Sequence, residues 1–562
     1  MKPAGWALGA LLMASGCSRP APPALSGPLA AAESAYFRAR NLADTIVIAK
    51  ARGMDTMPGT PKIKALLQWK DSAEHLVARL DTMAMGAEDR RVVRVLRGEL
   101  ELVTNLKTPV DVIEALGGAD DQASERGFCR YDPARVLADS DGIAALSDRI
   151  MACYTVAAAN IPYRGGKLDR LTVLSRLAMT ESSAERRRLF LALQPVWRSV
   201  NGAGDALSPW RQLTQARVAR FRTRNDQPQA IKALTLGLPL DSVESWLVAI
   251  LDAWRRAQPD TVLEPWDYHY YVGESSRELS PRIPRDQLDS LNRRWYGMLG
   301  ANLDSLKIHY DLAPRPGKTA VAFATFAARP RRTPAGWDPG EPWVFATYRV
   351  GGLDNLVELL HENGHAVHIA SIRTRPAYTD WPDSDVFTEA LGDLVALDVY
   401  EPLWQYRMLG DSVSAAVGLR GKYGSVMLDV AWALLEIRMA QAPSRDPNVV
   451  WADITSRYLH IRPHPELSWW AMRGQLVDSP GYMLNYGLGA VLTAQIRARI
   501  RELHGDWTAG DPTWYPWVRD RLYRFGQERP TSAVLQDFLG GALSPDAILA
   551  ELRLGGRRGV TQ

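Results

Sequence analysis

Cysteine is nearly absent from this chain, with three in 562 residues, and histidine is scarce, with nine. The cysteines, at positions 17, 129 and 153, have no metal-ligand spacing, so a thiolate zinc site is excluded. With so few histidines, a place where several gather stands out. No low-complexity tract or internal repeat is present, and after the first seventeen residues no apolar run is long enough to span a membrane. Neither sign of charge dominates: 67 basic residues face 63 acidic ones, for a net charge of +4. There is no basic stripe or finger spacing, so nucleic acid is not an expected partner. Arg186-Arg187-Arg188 and Arg331-Arg332 read as solvated faces.

At the start, Lys2 precedes an apolar stretch from Trp6 to Met13, then Ala14-Ser15-Gly16-Cys17. Small residues before a cysteine after a short apolar run read as a secretory signal ending in a lipobox. Residues 1–17 are therefore expected to be a signal peptide with Cys17 as acylation site. Residues 18–30, rich in proline and alanine, form an extended tether. The expected protein is exported and faces the periplasm of a bacterial envelope, with the N-terminal lipid as its membrane contact. Cys129 and Cys153 then form an even pair in an oxidising compartment, either one disulfide or two buried thiols.

Beyond the tether the pattern is mostly α, divided into a helical N-terminal part (31–230) and a catalytic part (231–562), intertwined as one unit. The segments 30–51, 63–83, 87–106 and 183–200 carry apolar residues at three- and four-residue spacing, as in Val92, Val93, Leu96, Leu100 and Val103. Strands are expected at Thr319–Phe326 and Pro342–Tyr348, separated by a turn-rich segment from Arg329 to Gly340. Such a pair is either a small structural hairpin or an edge that holds a peptide extended.

The chemistry concentrates in His361-Glu362-Asn363-Gly364-His365. Histidines at i and i+4 share one helix face, roughly 5–6 Å apart, so both imidazoles reach one ion. The intervening glutamate sits where it can take a proton from water beside a zinc ion. A tetrahedral site needs a third protein ligand. A metzincin would place a histidine six residues after His365, but that residue is Ser371. His368 is one turn further along the same helix and cannot converge on the same ion, so it reads as a supporting or pocket residue. Glu389, with Asp393 one turn beyond it on the same face, is the expected ligand, and Asp393 is expected to accept an N–H from a zinc histidine. Asp385 is the alternative, nearer the Pro382-Asp383 turn.

These residues carry a family resemblance. Glu389-Ala390-Leu391-Gly392-Asp393-Leu394-Val395-Ala396-Leu397, 24 residues after His365, resembles the glutamate-ligand helix of the angiotensin-converting-enzyme family. His361 to His368, Glu264-Pro265-Trp266-Asp267-Tyr268-His269-Tyr270-Tyr271 and Asp537-Phe538-Leu539-Gly540 resemble the thimet oligopeptidase and neurolysin family. The resemblance runs with gaps from Lys167 to Leu554. It implies a helical zinc peptidase of two lobes around a deep channel, with a small β-sheet beside the active-site helix and one Zn2+ per chain. It also implies a tyrosine-bearing helix facing the metal. Tyr482 and Tyr486 match one family's Gly-Tyr-x-x-x-Tyr pattern from Gly481, as oxyanion stabilisers. In the other family's pattern, Arg473 falls where a cation holds the substrate's C-terminal carboxylate, Gln475 replaces a substrate-touching histidine, and Asn485 takes the place of the oxyanion tyrosine. His460 and His464 lie upstream in a proline-containing loop. The expectation is zinc-dependent hydrolysis of short peptides, by an oligopeptidase or a dipeptidyl carboxypeptidase. A non-catalytic zinc- and peptide-binding lipoprotein is the alternative.

Overall fold

The computed structural model describes residues 27–54, 60–104, 129, 131–315, 318 and 322–558. The signal, the lipobox and most of the tether lie outside the described residues, as do residues 319–321 of the first expected strand.

Three helices open the described chain: α1 (Pro28–Ala51), α2 (Pro61–Ala78) and α3 (Ala87–Leu102). The sequence pattern carries the second of these on to Met83, but it stops at Ala78. Asp81 accepts the Met83 N–H at 3.0 Å, a local bond that competes with the helical ladder. These helices enclose small apolar clusters of their own, around Tyr36, Val77, Val92 and Leu96 and around Ala39, Ile46 and Leu66. A single large core runs from Leu146 to Leu552.

The helix expected over 183–200 is two helices, Ser183–Ala192 and Gln194–Asn201, meeting at Leu193. Pro195 has no N–H to continue the ladder. The arginines at the start of this segment are not all solvated. Arg186 is 6% exposed and grips Asp267, which Ser183 also holds. That pins the Trp266-Asp267 segment to the helix. Arg187, which lies over the Trp266 ring, and Arg188, paired with Glu185, are both exposed. Cys129 and Cys153 are joined as a disulfide, their Cα atoms 5.5 Å apart.

A two-stranded hairpin, β1 (Ile161–Tyr163) and β2 (Gly166–Leu168), precedes the region that matters for the site. Two expected strands are present with shifted ends, β4 (Phe323–Ala328) and β7 (Glu341–Phe345), paired antiparallel. The turn-rich segment between them is itself a hairpin, β5 (Arg331–Thr333) with β6 (Gly336–Asp338), closed around Gly336 at φ +124°. A third strand, β3 (His309–Asp311), runs parallel to β7 on its other side. At three residues it is too short to show an alternating pattern. The order β3-β7-β4 leaves β4 at an edge.

The site is framed by four further helices. Helix α4 (Leu353–Ser371) carries the two motif histidines, and α5 (Asp385–Ala396) packs between it and α7 (Met483–Leu503). The long helix α6 (Ala415–Gln441) lies behind α7. Ser384 caps α5 by accepting the Phe387 N–H. Among the described residues no single helix is long and apolar enough to cross a membrane.

Candidate active site

Two glycines let α4 and α5 approach more closely than side chains would allow. A Cβ on Gly364 would lie 2.7 Å from the Gly392 carbonyl oxygen. A Cβ on Gly392 would meet His365 Cε1 at 2.9 Å and His361 Cε1 at 3.0 Å. The carboxylates of α5 therefore reach the imidazoles of α4.

The ligand atoms of His361, His365 and Glu389 lie within 4.8 Å of one another. His361 Nε2 is 3.1 Å from His365 Nε2 and 3.4 Å from Glu389 Oε2. Asp393 Oδ1 is 2.7 Å from His361 Nδ1. With that nitrogen donating to Asp393, Nε2 turns its lone pair toward the cluster. Two imidazole nitrogens and a carboxylate oxygen converging in this way leave lone pairs facing each other, an arrangement a cation relieves. The donor set, nitrogen with one carboxylate, suits zinc. Asp385, the alternative ligand, is not in the cluster; it pairs with Lys232 at 3.1 Å and is largely exposed.

Electrostatics follow the same geometry. Burial opposes charge on His361, but Asp393, Glu389 and Glu362 outweigh it and hold the ring well above its usual pKa. Burial, then the neighbouring His361, pushes His365 down to about 3. Burial would raise Glu389, but bonding to His361 and the charge of both histidines hold it below the usual carboxylate range.

Glu362 is 8% exposed. Burial raises its pKa to about 8, His361 opposes that, and Glu389 and Glu358 add to it. The backbone amide of Ala324 on β4 lies near this carboxylate and favours its charged form. Ala324, opposite Val344 on β7, therefore lies where the sheet meets the site. Pro342, opposite Phe326 two residues on, has no N–H to offer that strand. The edge of the sheet thus runs beside Glu362.

His368 is fully buried, with neither ring nitrogen partnered. Burial lowers its pKa to about 3. It packs against Trp381 and Tyr523, at ring separations of 5.6 and 5.4 Å. Trp381 also lies edge-on to His365 at 5.8 Å. Sequence reasoning missed this tryptophan, whose only signal was an aromatic residue in the Asp380-Trp381-Pro382 turn between two helices. Its position is set from far away. Buried Arg329 bonds Asp380 and the Thr379 carbonyl, and reaches back to Asp44 on α1. Arg375 forms two bonds to buried Glu33, also on α1. Helix α1, with Glu88 of α3 bonded to the Tyr378 hydroxyl, thus braces the loop joining the two metal-facing helices.

On the opposite wall, Tyr482 and Tyr486 form an edge-on pair at 5.7 Å, and both feel the charge of Glu389. Arg473 is in ion-pair contact with Asp429 on α6 and lies over the Trp432 and Tyr486 rings. Its side chain is 26% exposed. Gln475 is half-buried on a short helix, Gln475–Asp478, with no side-chain hydrogen bond. Asn485 is 1% exposed and its amide has no partner, so it lies in packing. His460 takes the Arg255 carbonyl and Asp260 as partners, and His464 takes Glu264 and Glu466. Neither histidine supplies the imidazole that Gln475 lacks. His269, in the Glu264–Tyr271 segment, shares a cavity wall with Arg473. Burial and that arginine lower it to about 4.

The sequence matches no family profile and no curated protein. Solved structures do match. A putative oligoendopeptidase F is 16% identical with a TM-score of 0.57, over 90% of this chain and 98% of its own. PZ peptidase A, solved with an inhibitor, is 16% identical with a TM-score of 0.52, over 94% and 96%. BsuCP is 13% identical with a TM-score of 0.52, over 94% and 99%. Identities this low speak to the fold, and on that evidence the chain has the mostly helical fold of zinc peptidases, with small sheets beside the active-site helix.

Proposed function

We propose that this protein is a zinc metallopeptidase that hydrolyses peptide bonds in short peptides. The observation that carries the reading is the convergence of His361, His365 and Glu389, with the Glu362 carboxylate between them and a strand edge. A zinc ion held by those three residues would polarise the scissile carbonyl and make water easier to deprotonate. The chain's own residues do the rest. Glu362 takes the proton of the attacking water and delivers it to the leaving amine. The edge of β4 around Ala324, beyond the stretch at Ala327 that Thr45 of α1 holds, aligns the substrate backbone in extended form. Tyr486 or Tyr482 donates its O–H to the oxyanion. Asp393 fixes the tautomer and orientation of His361.

Arg473 bears on the mode of cutting. Its charge is already matched by Asp429, which favours an endo-acting oligopeptidase over one anchored on a free peptide C-terminus. A peptide and its C-terminally amidated form should then be cleaved at similar rates; loss of cleavage on the amide would restore the anchoring role of Arg473. The metal reading is tested by chelation. Activity on unstructured peptides should vanish with a chelator and return with zinc, and activity indifferent to chelation would overturn it. The proposal includes export and lipid anchoring in a periplasm-facing position, which rests on residues 1–17. Acylation should be detected by labelled palmitate on the full chain and lost in Cys17→Ser.

A further inference from the structure

Away from the metal cluster, the helix Pro209–Arg224 and the C-terminal end of α6 enclose a cavity of about 430 Å3. That is within the usual range for small-molecule sites. Trp210, Phe221 and Leu476 supply apolar wall; Arg217 and Glu436, of opposite charge, share it, and the exposed Arg222 and Asp241 also line it.

Neither side chain has an ion-pair partner among the described residues. Glu436 is 6% exposed. Its Oε1 accepts the Gly481 N–H at 2.8 Å, and its Oε2 has no partner. Arg217 donates from Nη2 to Ser147 Oγ at 3.1 Å and, among the described residues, has no ion pair. Arg217 and Glu436 attract one another but are not in contact. The other charges near them, Lys232 beside Glu436 and Asp478 beside Arg217, are not paired to either. A buried charge without a partner is costly. Buried Glu436, with one carboxylate oxygen unpartnered, and half-buried Arg217, set apart across one partly apolar cavity, match a ligand that carries both signs itself.

We propose that this cavity binds a small zwitterion, a free amino acid or dipeptide with an apolar side chain. Its ammonium is directed to Glu436, its carboxylate to Arg217, and its side chain to Trp210 and Phe221. Glu436 also holds the backbone one residue before Tyr482, so an occupant is connected to the start of the tyrosine helix by one side chain. The site is separate from the metal cluster, and its binding does not depend on the chain being a peptidase.

The test is calorimetric titration of the full chain with leucine, Leu-Leu, N-acetylleucine and leucinamide. Leucine or Leu-Leu should bind with millimolar or tighter affinity, the stronger of the two identifying the size of ligand. N-acetylleucine and leucinamide, each lacking one charge, should bind at least about tenfold more weakly, a loss of about 1.4 kcal/mol. Arg217→Met should weaken binding by a similar factor, whereas His361→Ala, which breaks the metal cluster, should leave it unchanged. Phe221→Ala provides a second cavity variant if Arg217→Met melts early by circular dichroism. Absence of binding at millimolar ligand overturns the proposal. So does binding that survives both cavity variants, or binding lost in His361→Ala alone, which would place the ligand at the metal cleft. None of these readouts uses turnover, so their failure is distinct from failure of the peptidase reading.

Discussion

His361, Glu362 and His365 meet Glu389 and Asp393 across a pair of touching glycines, whereas Tyr482 and Tyr486 face them from a helix positioned by buried charge. On the first wall, geometry comes from helix periodicity and from backbone contact at Gly364 and Gly392. On the second, Glu436 holds the amide of Gly481, and the Asp429–Arg473 pair sits behind Tyr486. Backbone contact leaves no room for a side chain, while a buried ion pair is lost when either partner is removed. That difference sets how each wall is positioned, by backbone contact in the first and by side-chain bonds in the second. It also separates the expected effects: changes on the first wall act on the metal or on proton transfer, and changes on the second act on turnover with metal retained.

The largest effect is expected at Glu362. Glu362→Gln should lower peptide cleavage by roughly 10²- to 10⁴-fold with zinc content unchanged by elemental analysis; full activity would remove the proposed base. Next come the tyrosines. Of Tyr486→Phe and Tyr482→Phe, the variant that loses the oxyanion donor should drop in kcat by roughly 10²-fold or more, with KM and metal content held. Equal, small effects from both would remove the second wall from the chemistry.

Metal affinity should respond to the support of the first wall alone. Asp393→Asn is expected to weaken zinc binding by about 10- to 100-fold, read by competition with a chromogenic chelator. Gly392→Ala pushes a methyl group into both histidine rings and should weaken it as well, with an overpacking cost of about 1–3 kcal/mol in stability. If the same loss followed Tyr486→Phe, the division between the walls would fail.

The smallest effect concerns His464, in the segment leading to the second wall. Burial works against its charged form, but Glu466 and Glu264 outweigh burial and raise its pKa. A raised histidine pKa stabilises the fold fully below the unfolded value of about 6.5, and that contribution disappears as pH rises through the folded value. His464→Gln should therefore lower Tm more at pH 5.5 than at pH 9. A pH-independent difference would mean that the ring acts through packing on Trp266.

Much of the first wall was legible because its logic is local. The spacing of His361 and His365, the turn between Glu389 and Asp393, and the helical period of α1 and α3 all depend on neighbours within a few residues. Shorter and longer ranges were less readable. Strand β3 has three residues and no pattern, and Pro195 split a helix whose apolar period continued past it. Arg186 sat in a run of three arginines, yet its burial depends on Asp267, which no local pattern announces.

The sequence by itself determined that two histidines share one helix face with a glutamate next to them, and that a second helix carries paired carboxylates, because helix geometry converts spacing into direction. The tertiary structure decided which residues those faces meet. Glu389 rather than Asp385 closes the cluster because α5 packs on α4 at Gly392. Trp381 reaches His365 because Arg329 ties its loop to Asp44, 285 residues away. Arg473 is matched by Asp429 because α6 runs behind the second wall. Contacts between distant segments depend on how whole elements pack, and no local period encodes them.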